Sequence, residues 1–300
     1  MDQITAYQAS ETLLKMTKKL LLLLGLGFYL QGNIFAQAQK THSEPMIWGD
    51  LQADYFLPNQ SFFFFKTELR HNTNSYGLIE DINLYQVYFQ LGYDQKLSDH
   101  WRAGGSARYT LDRRNNNQVY QAALQHNGKI GKTDFIKRIS YDLMRFAESD
   151  GMGRLRPMVA LERNFNFILG GRALRPHLSY ELFFYNDFQS EDLQTETRTV
   201  DRTRLRAALS FQATERLWLT PFFIRQTEYY NVLPTYINEV DAAGNLVLDG
   251  DGNPVVVEKD PGGKRNRIEP ILGLEIRWLL PGKNVSDRTI PGLGVLPEVN

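Results

Sequence analysis

The chain of 300 residues lacks cysteine altogether, and neither sign of charge is in excess. The absence of cysteine excludes disulfide bonds, thiol catalysis and a lipid anchor on an N-terminal cysteine. Lysine plus arginine and aspartate plus glutamate each number 34, so no net charge indicates a nucleic-acid partner. The five histidines show no spacing typical of a metal cluster. We therefore predict neither nucleic-acid binding nor a cofactor.

Long apolar runs are also scarce. The mean hydropathy is −0.39, which excludes a protein that crosses a membrane with several helices. A transmembrane β-barrel is compatible with this composition, because only every second residue of its strands has to be apolar. Low hydropathy therefore leaves a barrel as the membrane fold to consider.

The one long apolar run, residues 20–30, follows a pair of lysines. It precedes the segment Phe35-Ala36-Gln37-Ala38, whose small residues are typical of a cleavage site. We predict that residues 1–38 are a signal peptide cleaved after Ala36 or Ala38. The run is too short for a transmembrane helix. An uncleaved N-terminal anchor is the alternative.

The lysine pair also bears on where translation starts. Met16 lies just before it, as the initiator of a signal peptide usually does. We therefore interpret Met16 as the natural initiator and residues 1–15 as an over-called start. A cleaved signal predicts export through the secretion machinery.

After the signal, apolar and polar residues alternate with a period of two. In the segment Trp101–Asp112, Ala107 and Tyr109 share one face, whereas Ser106 and Arg108 share the other. Successive side chains of a strand point to opposite faces, so this pattern predicts a strand with one apolar and one polar face. Runs of this kind cover residues 47–57, 61–71, 84–97, 101–112, 118–128, 133–147, 154–167, 175–186, 202–213, 217–232 and 267–280. At about 3.3 Å per residue and a tilt near 45°, ten or eleven residues span roughly 25 Å, the apolar thickness of an outer membrane.

The links between these runs alternate in length. Shorter links (57–60, 97–100, 128–132, 168–174 and 213–216) alternate with links that are longer on the whole (72–83, 113–117, 148–153, 187–201 and 233–266). This pattern predicts an all-β fold: a transmembrane antiparallel up-and-down β-barrel of about ten to twelve strands, with short periplasmic turns and longer extracellular loops. We place the barrel at 47–280, with a flexible segment 39–46 before it, an extracellular loop at 233–266 and a loose periplasmic tail at 281–300.

The number of runs raises a question of parity. Eleven runs are visible, yet bacterial barrels use even numbers of strands. We expect ten strands if 47–57 lies outside the wall. We expect twelve if a further strand lies in the N-terminal segment or in the tail.

The polar faces carry charges of both signs, and these faces would line the barrel interior. The predicted interior charges are Lys66, Glu68, Arg70, Arg102, Arg108, Arg138, Asp142, Arg156, Glu162, Arg175, Glu181, Arg202, Arg204, Arg206, Glu269, Glu275 and Arg277. Buried charges have to be paired or hydrated. One hypothesis is therefore a lattice of arginines and carboxylates that props the barrel and closes it. The other is a narrow pore whose arginines select anions.

Two further groups of residues carry weaker chemical signals. His177, Ser179 and Glu181 share one face and contain the residue types of a hydrolase site, although neighbours two apart on a strand need not touch. In the loop 233–266, Asp241-Ala-Ala-Gly-Asn recurs as Asp249-Gly-Asp-Gly-Asn. The interpretation we favour is a hairpin with turns. Asp249, Asp251 and Asn253 are weak candidates for calcium ligands, because Pro254 lies where an EF-hand needs glycine.

The chain resembles a bacterial family of outer-membrane barrels catalogued as domain of unknown function 2490. The resemblance rests on an early Trp48 strand, Glu68-Leu69-Arg70, the turn Leu97-Ser98-Asp99-His100-Trp101, the strand from Pro176 through Glu181-x-Phe183-Phe184-Tyr185, and Arg202-x-Arg204-x-Arg206. It covers about residues 46–280, and the segment 233–266 is longer than such loops usually are. The resemblance implies no catalytic residues.

We conclude that the sequence predicts a barrel in the outer membrane of a Gram-negative bacterium, either structural or a narrow pore. Its expected partners are outer-membrane lipid and, during biogenesis, the secretion and barrel-assembly machinery. The alternatives are an outer-membrane lipid hydrolase and a soluble periplasmic β-protein that binds a ligand in its interior. The oligomeric state stays open.

Overall fold

The computed structural model describes residues 38–72, 84–112, 116–147, 151–165, 173–187, 199–241, 245–260 and 262–280. The predicted signal peptide, up to residue 37, and the predicted tail 281–300 lie outside the described residues. Within the described ranges, no helix is long and apolar enough to cross a membrane.

Most of the described residues lie in β-strands. In chain order these are β1 (Gln39–His42), β2 (Met46–Phe56), β3 (Phe62–Asn72), β4 (Leu84–Lys96), β5 (Trp101–Asp112), β6 (Asn117–Ile130), β7 (Thr133–Phe146), β8 (Met152–Glu162), β9 (Leu174–Asp187), β10 (Arg202–Gln212), β11 (Leu217–Val232), β12 (Thr235–Asn238), β13 (Val256–Asp260) and β14 (Gly263–Leu280). Each predicted run overlaps one long strand; the largest difference is in the run 154–167, since β8 ends at Glu162 and residues 166–167 lie outside the described ranges.

The long strands close into a barrel. From β2 to β11 each strand pairs antiparallel with the next, and β11 then pairs antiparallel with β14. The ring is closed by parallel pairing between β14 and β2, from Ile271 opposite Met46 to Leu280 opposite Tyr55. The prediction of a closed, all-β up-and-down barrel is confirmed.

The expectation of an even strand number is wrong, because eleven strands form the described wall. In an up-and-down barrel every strand runs opposite to the preceding one. With an odd number, the first and last strands therefore run the same way and can pair only in parallel. The run 47–57 belongs to the wall as β2, and no twelfth wall strand occurs among the described residues.

Because the closure is parallel, the first and last residues of the wall lie at opposite ends of the barrel. The links at one end of the barrel include 57–61, 97–100, 131–132 and 213–216, and the connection from Glu162 of β8 to Leu174 of β9 belongs to this end as well; the longest link, 233–262, belongs to the other end. We call these the short-turn end and the long-link end. Since β2 and β14 both run from the long-link end to the short-turn end, Met46 and Leu280 lie at opposite ends of the barrel.

Two predicted boundaries also need correction. The segment 39–46, expected to be flexible, contains β1, which is next to β14 in the sheet, and the backbone N–H of Ser43 donates to Ile268 O (2.9 Å). The predicted loop 233–266 ends at residue 262, because residues 263–266 pair with β11. Within that loop, β12 and β13 form a separate two-stranded hairpin.

The parallel seam can be tested by cross-linking, since the natural chain has no cysteine. Leu51 lies directly opposite Ile276 across the seam, and directly paired positions have Cα separations within the range of a disulfide. We expect the double variant Leu51→Cys/Ile276→Cys to form an intramolecular disulfide, detected by gel mobility with and without reductant. Leu219 pairs with the other edge of β14, so Leu51→Cys/Leu219→Cys should not cross-link. Equal cross-linking in both variants would contradict the seam.

Candidate functional site in the barrel interior

The barrel interior holds the charged faces of the strands. The structure buries all the predicted interior charges named above except Arg202, which is half-buried. It also buries three charged residues that the sequence analysis did not name as interior: Asp50, Asp54 and Arg154. The first two were missed because the place of β2 in the wall was uncertain, although the alternation of β2 would have placed both on its polar face.

Asp142 of β7 is one centre of this network. Its Oδ2 accepts hydrogen bonds from Arg154 Nη2 (2.6 Å) and Arg156 Nη1 (3.2 Å), and its Oδ1 accepts one from Gln121 Nε2 (2.7 Å). The register explains these contacts, because Asp142 lies directly opposite Gln121 on β6 and Arg154 on β8. One carboxylate thus compensates two buried guanidinium groups.

Glu181 of β9 is a second centre. Its Oε1 accepts hydrogen bonds from Arg156 Nη2 (2.7 Å) and Arg138 Nη2 (3.4 Å). Arg204 Nη1 lies 3.9 Å from its Oε2. Since Arg156 also contacts Asp142, the two centres form one network that joins β7, β8, β9 and β10.

A third group lies on β2 and β3. Lys66 Nζ is 2.9 Å from Asp50 Oδ2 and 3.5 Å from Glu68 Oε2, and Arg70 Nε donates to Glu68 Oε1 (2.5 Å). The Arg70 guanidinium lies 3.9 Å from the centre of the Trp48 ring and 4.3 Å from that of Tyr88. Cation–π contacts of this kind partly compensate the desolvation of a buried cation.

Further ion pairs join neighbouring strands or, for Arg206 and Glu275, two strands separated by β11. Arg277 donates to Asp54 across the parallel seam, and Arg102 donates to Asp94. Arg175 and Arg206 lie 3.2 Å from Glu162 and Glu275, and Arg202 donates to Glu228. The interior is therefore held by pairs as well as by the central network.

Apolar and aromatic side chains fill the space between the charges. Phe183, Ile224, Ile271 and Leu279 are completely inaccessible to solvent. Two phenylalanines lie over glycines of neighbouring strands: a Cβ on Gly273 would come within 2.1 Å of the Phe222 ring, and one on Gly92 within 2.2 Å of Phe64. Any larger residue at either glycine would therefore force the facing ring to move.

The candidate hydrolase residues do not form a catalytic arrangement. His177 Nδ1 lies 3.4 Å from Glu162 Oε2 rather than on Ser179, and Glu181 is bound by arginines. No hydrogen bond within the described ranges joins Ser179 to His177 or to Glu181. The three side chains are buried on the inward face of β9, away from the outer surface.

The candidate calcium residues lie in a turn of the loop 233–262. Asp249 Oδ1 accepts hydrogen bonds from the backbone N–H of Asn253 (2.8 Å) and of Asp251 (3.0 Å), and these bonds lower the pKa of Asp249. In the other copy of the sequence repeat, Asp241 Oδ1 likewise accepts a hydrogen bond from the backbone N–H of Asn245 (2.9 Å). Among the described residues, no group of three or more His, Asp or Glu side chains is arranged to hold a metal ion.

The outward faces of the strands have the opposite character. Their exposed side chains are mainly large and apolar, for example Ile47, Leu51, Phe63, Phe65, Phe89, Leu91, Val159, Leu178, Leu205, Phe223, Leu272 and Leu274. This distribution of side chains is the opposite of that in most water-soluble proteins, where apolar residues are mostly buried and charged residues mostly exposed.

Two comparisons with known proteins bear on this chain. A search of curated proteins finds no match. A family profile described as protein of unknown function (DUF2490) matches residues 46–232, which cover β2 to β11 of the wall. The match spans more than half of the chain and agrees with the resemblance that the sequence motifs indicated. The chain therefore belongs to the DUF2490 family.

Proposed function

We propose that this chain is an integral protein of the outer membrane of a Gram-negative bacterium, and that its barrel is a closed structural scaffold rather than an open pore. One observation carries the proposal: a continuous wall of strands exposes apolar side chains outward and buries charges inward. Monomeric soluble proteins rarely expose contiguous apolar patches larger than a few hundred Å². A lipid surround explains an apolar belt around the whole wall, because the belt then contacts acyl chains.

The aromatic side chains support the same placement. Trp101 and Trp278 are exposed and lie close to the short-turn end of β5 and β14. Tryptophan is enriched at membrane interfaces, where its ring contacts acyl chains and headgroups together. Among cations on the outward face, Lys137 and Arg225 have long side chains whose charged ends can reach the headgroup region.

The closed interior supports a structural role. An open pore leaves its lining side chains accessible to water, whereas Asp142, Arg156 and Phe183 are completely inaccessible. A second candidate, a narrow anion-selective pore, is favoured by the number of arginines in the interior. The two candidates differ in planar bilayers: the scaffold gives no discrete conductance steps, and the pore gives steps with anion selectivity.

Membrane sidedness gives a direct test in cells. We expect the long-link end to face outward and the short-turn end to face the periplasm. His42→Cys and Asp251→Cys should then react with an impermeant maleimide in intact cells, because both residues are exposed at the long-link end. The matched control Lys132→Cys, in the 131–132 turn, should react only after the outer membrane is permeabilised.

Two results would contradict the proposal. Labelling of His42→Cys only after permeabilisation would reverse the sidedness or break the parallel seam. Recovery of the wild-type chain in the aqueous phase after detergent partitioning would favour the soluble alternative. The hydrolase alternative predicts that Ser179→Ala abolishes lipid turnover with the barrel intact.

A further inference from the structure

Arg108 of β5 stands apart from the other interior arginines. Its side chain is buried, with 5% of its surface exposed, and its Nε and Nη1 have no hydrogen-bond partner. No carboxylate of the described residues forms an ion pair with it. Its contact is with the Tyr88 ring, whose centre lies 4.7 Å from the guanidinium carbon. Burial of a cation without a hydrogen-bonded counter-charge is costly, so an anion bound to Arg108 would stabilise the barrel.

The charges around Arg108 do not supply that component. Among charged side chains, those that act most strongly on Arg108 are the cations Arg154 and Arg70 and the carboxylate of Glu68. Glu68 is already bound by Arg70 and lies close to Lys66. Arg154 is engaged by Asp142, which it shares with Arg156. Glu68 and Asp142 are thus each close to two cations other than Arg108.

The surrounding network as a whole is short of negative charge. It comprises the network of Asp142 and Glu181 and the separate group of Glu68 and Asp50. Those four carboxylates lie among seven buried cations: Lys66, Arg70, Arg108, Arg138, Arg154, Arg156 and Arg204. Arg204 also donates to Gln226, whose Nε2 donates to Glu269 (2.5 Å), but Glu269 is itself paired with Arg267. Of these seven cations, Arg108 is the one that no carboxylate of the described residues pairs.

We propose that the barrel interior binds a small oxyanion at Arg108, whose guanidinium contacts the Tyr88 ring together with that of Arg70. Oxyanions such as phosphate or carboxylate groups accept several charge-assisted hydrogen bonds from guanidinium groups, and these are among the stronger hydrogen bonds in proteins. The bound anion supplies the counter-charge that no described side chain provides. The inference goes beyond the scaffold proposed above and rests on the interior alone, so it does not depend on the membrane location.

Inorganic phosphate is the probe for the test. Equilibrium dialysis of the folded, detergent-solubilised chain against radiolabelled phosphate, at constant ionic strength, should show saturable binding of one phosphate per barrel. Arg108→Gln should weaken binding at least about tenfold, since charge-assisted hydrogen bonds are lost. Because no carboxylate of the described residues loses an ion pair when Arg108 is replaced, the barrel should stay folded, as judged by heat-modifiable gel mobility.

A second variant tests the site by adding charge instead of removing it. Gln90 is buried and lies directly opposite Arg108 in the pairing of β4 with β5. Gln90→Glu keeps the side-chain shape and places a carboxylate beside Arg108, so it should also abolish phosphate binding. The matched control is Gln125→Glu. Gln125 is also buried, but it lies opposite Arg102 on β5 and Arg138 on β7, which Asp94 and Glu181 already pair, so phosphate binding should persist.

Each result of these binding experiments either supports or overturns the phosphate site. Loss of phosphate binding in Arg108→Gln and Gln90→Glu, with binding retained in Gln125→Glu, supports the site. Absence of saturable binding to the wild-type chain overturns it and leaves water as the partner of Arg108. Binding of unchanged affinity in Arg108→Gln overturns it as well. Neither result bears on outer-membrane fractionation, which tests the proposed location separately.

Discussion

Replacing Asp142 by asparagine should lower the free energy of unfolding of the barrel by about 3–5 kcal/mol, the usual cost of removing one partner from a buried ion pair. The change keeps the shape of the side chain and removes its charge. Arg154 and Arg156 then lose a counter-charge in a position that solvent does not reach. Removal of charge, rather than of volume, is therefore the cause of the expected loss.

The measurement is the unfolding free energy in denaturant, followed by heat-modifiable gel mobility in lipid vesicles. Asp99→Asn is the matched control, because Asp99 pairs with Lys96 (2.7 Å) at an exposed turn. Exposed ion pairs contribute only about 0–1 kcal/mol, so this variant should resemble the wild-type chain. Equal stability of the two variants would show that Asp142 does not organise the interior.

The second large effect concerns the outer face. Leu91 lies near the middle of β4 with 61% of its surface exposed, and Leu97 follows the same strand with 53% exposed. If the wall spans a bilayer, Leu91→Arg should cost about 2–4 kcal/mol and Leu97→Arg only about 0–1, because the cost of a charge falls towards the interface. Unfolding free energies in lipid vesicles give both values.

The variants Leu91→Arg and Leu97→Arg together distinguish a membrane from water as the medium around the barrel. In a soluble barrel both leucines face water, so both substitutions should be nearly neutral or slightly favourable. A cost that is the same at the two positions would therefore contradict the membrane placement, whatever its size.

The wall was predictable from the sequence because it depends on a local property. The two-residue alternation in Trp101–Asp112 fixes which side chains share a face, and the structure keeps Arg102 and Arg108 inward and Tyr109 outward. The alternation also holds in β2, whose place in the wall was left open only because of parity: Asp50 and Asp54 are buried, whereas Leu51 and Tyr55 are exposed. The strand count failed for a different reason: the expectation of an even number came from other barrels, while the chain itself shows eleven runs.

The interior contacts could not be predicted because they depend on register. Asp142 contacts Gln121 and Arg154 only because the β6–β7 and β7–β8 pairings place these residues side by side. A shift of two residues would keep every side chain on its face and change every partner. The unpaired state of Arg108 likewise follows from register, since Gln90 and Val119 lie opposite it instead of carboxylates.

The central claim is that apolar side chains of a closed barrel contact lipid while the interior excludes it, and the four natural tryptophans test it. Trp48 and Trp218 are buried in the interior, with 1% and 2% exposed, whereas Trp101 and Trp278 are 44% and 53% exposed on the outer face. Single-tryptophan variants, with phenylalanine at the other three positions, would be folded into vesicles of lipids brominated on their acyl chains. The account predicts fluorescence quenching of Trp101 and Trp278 and none of Trp48 and Trp218; quenching of the two interior rings, or of none of the four, would contradict it.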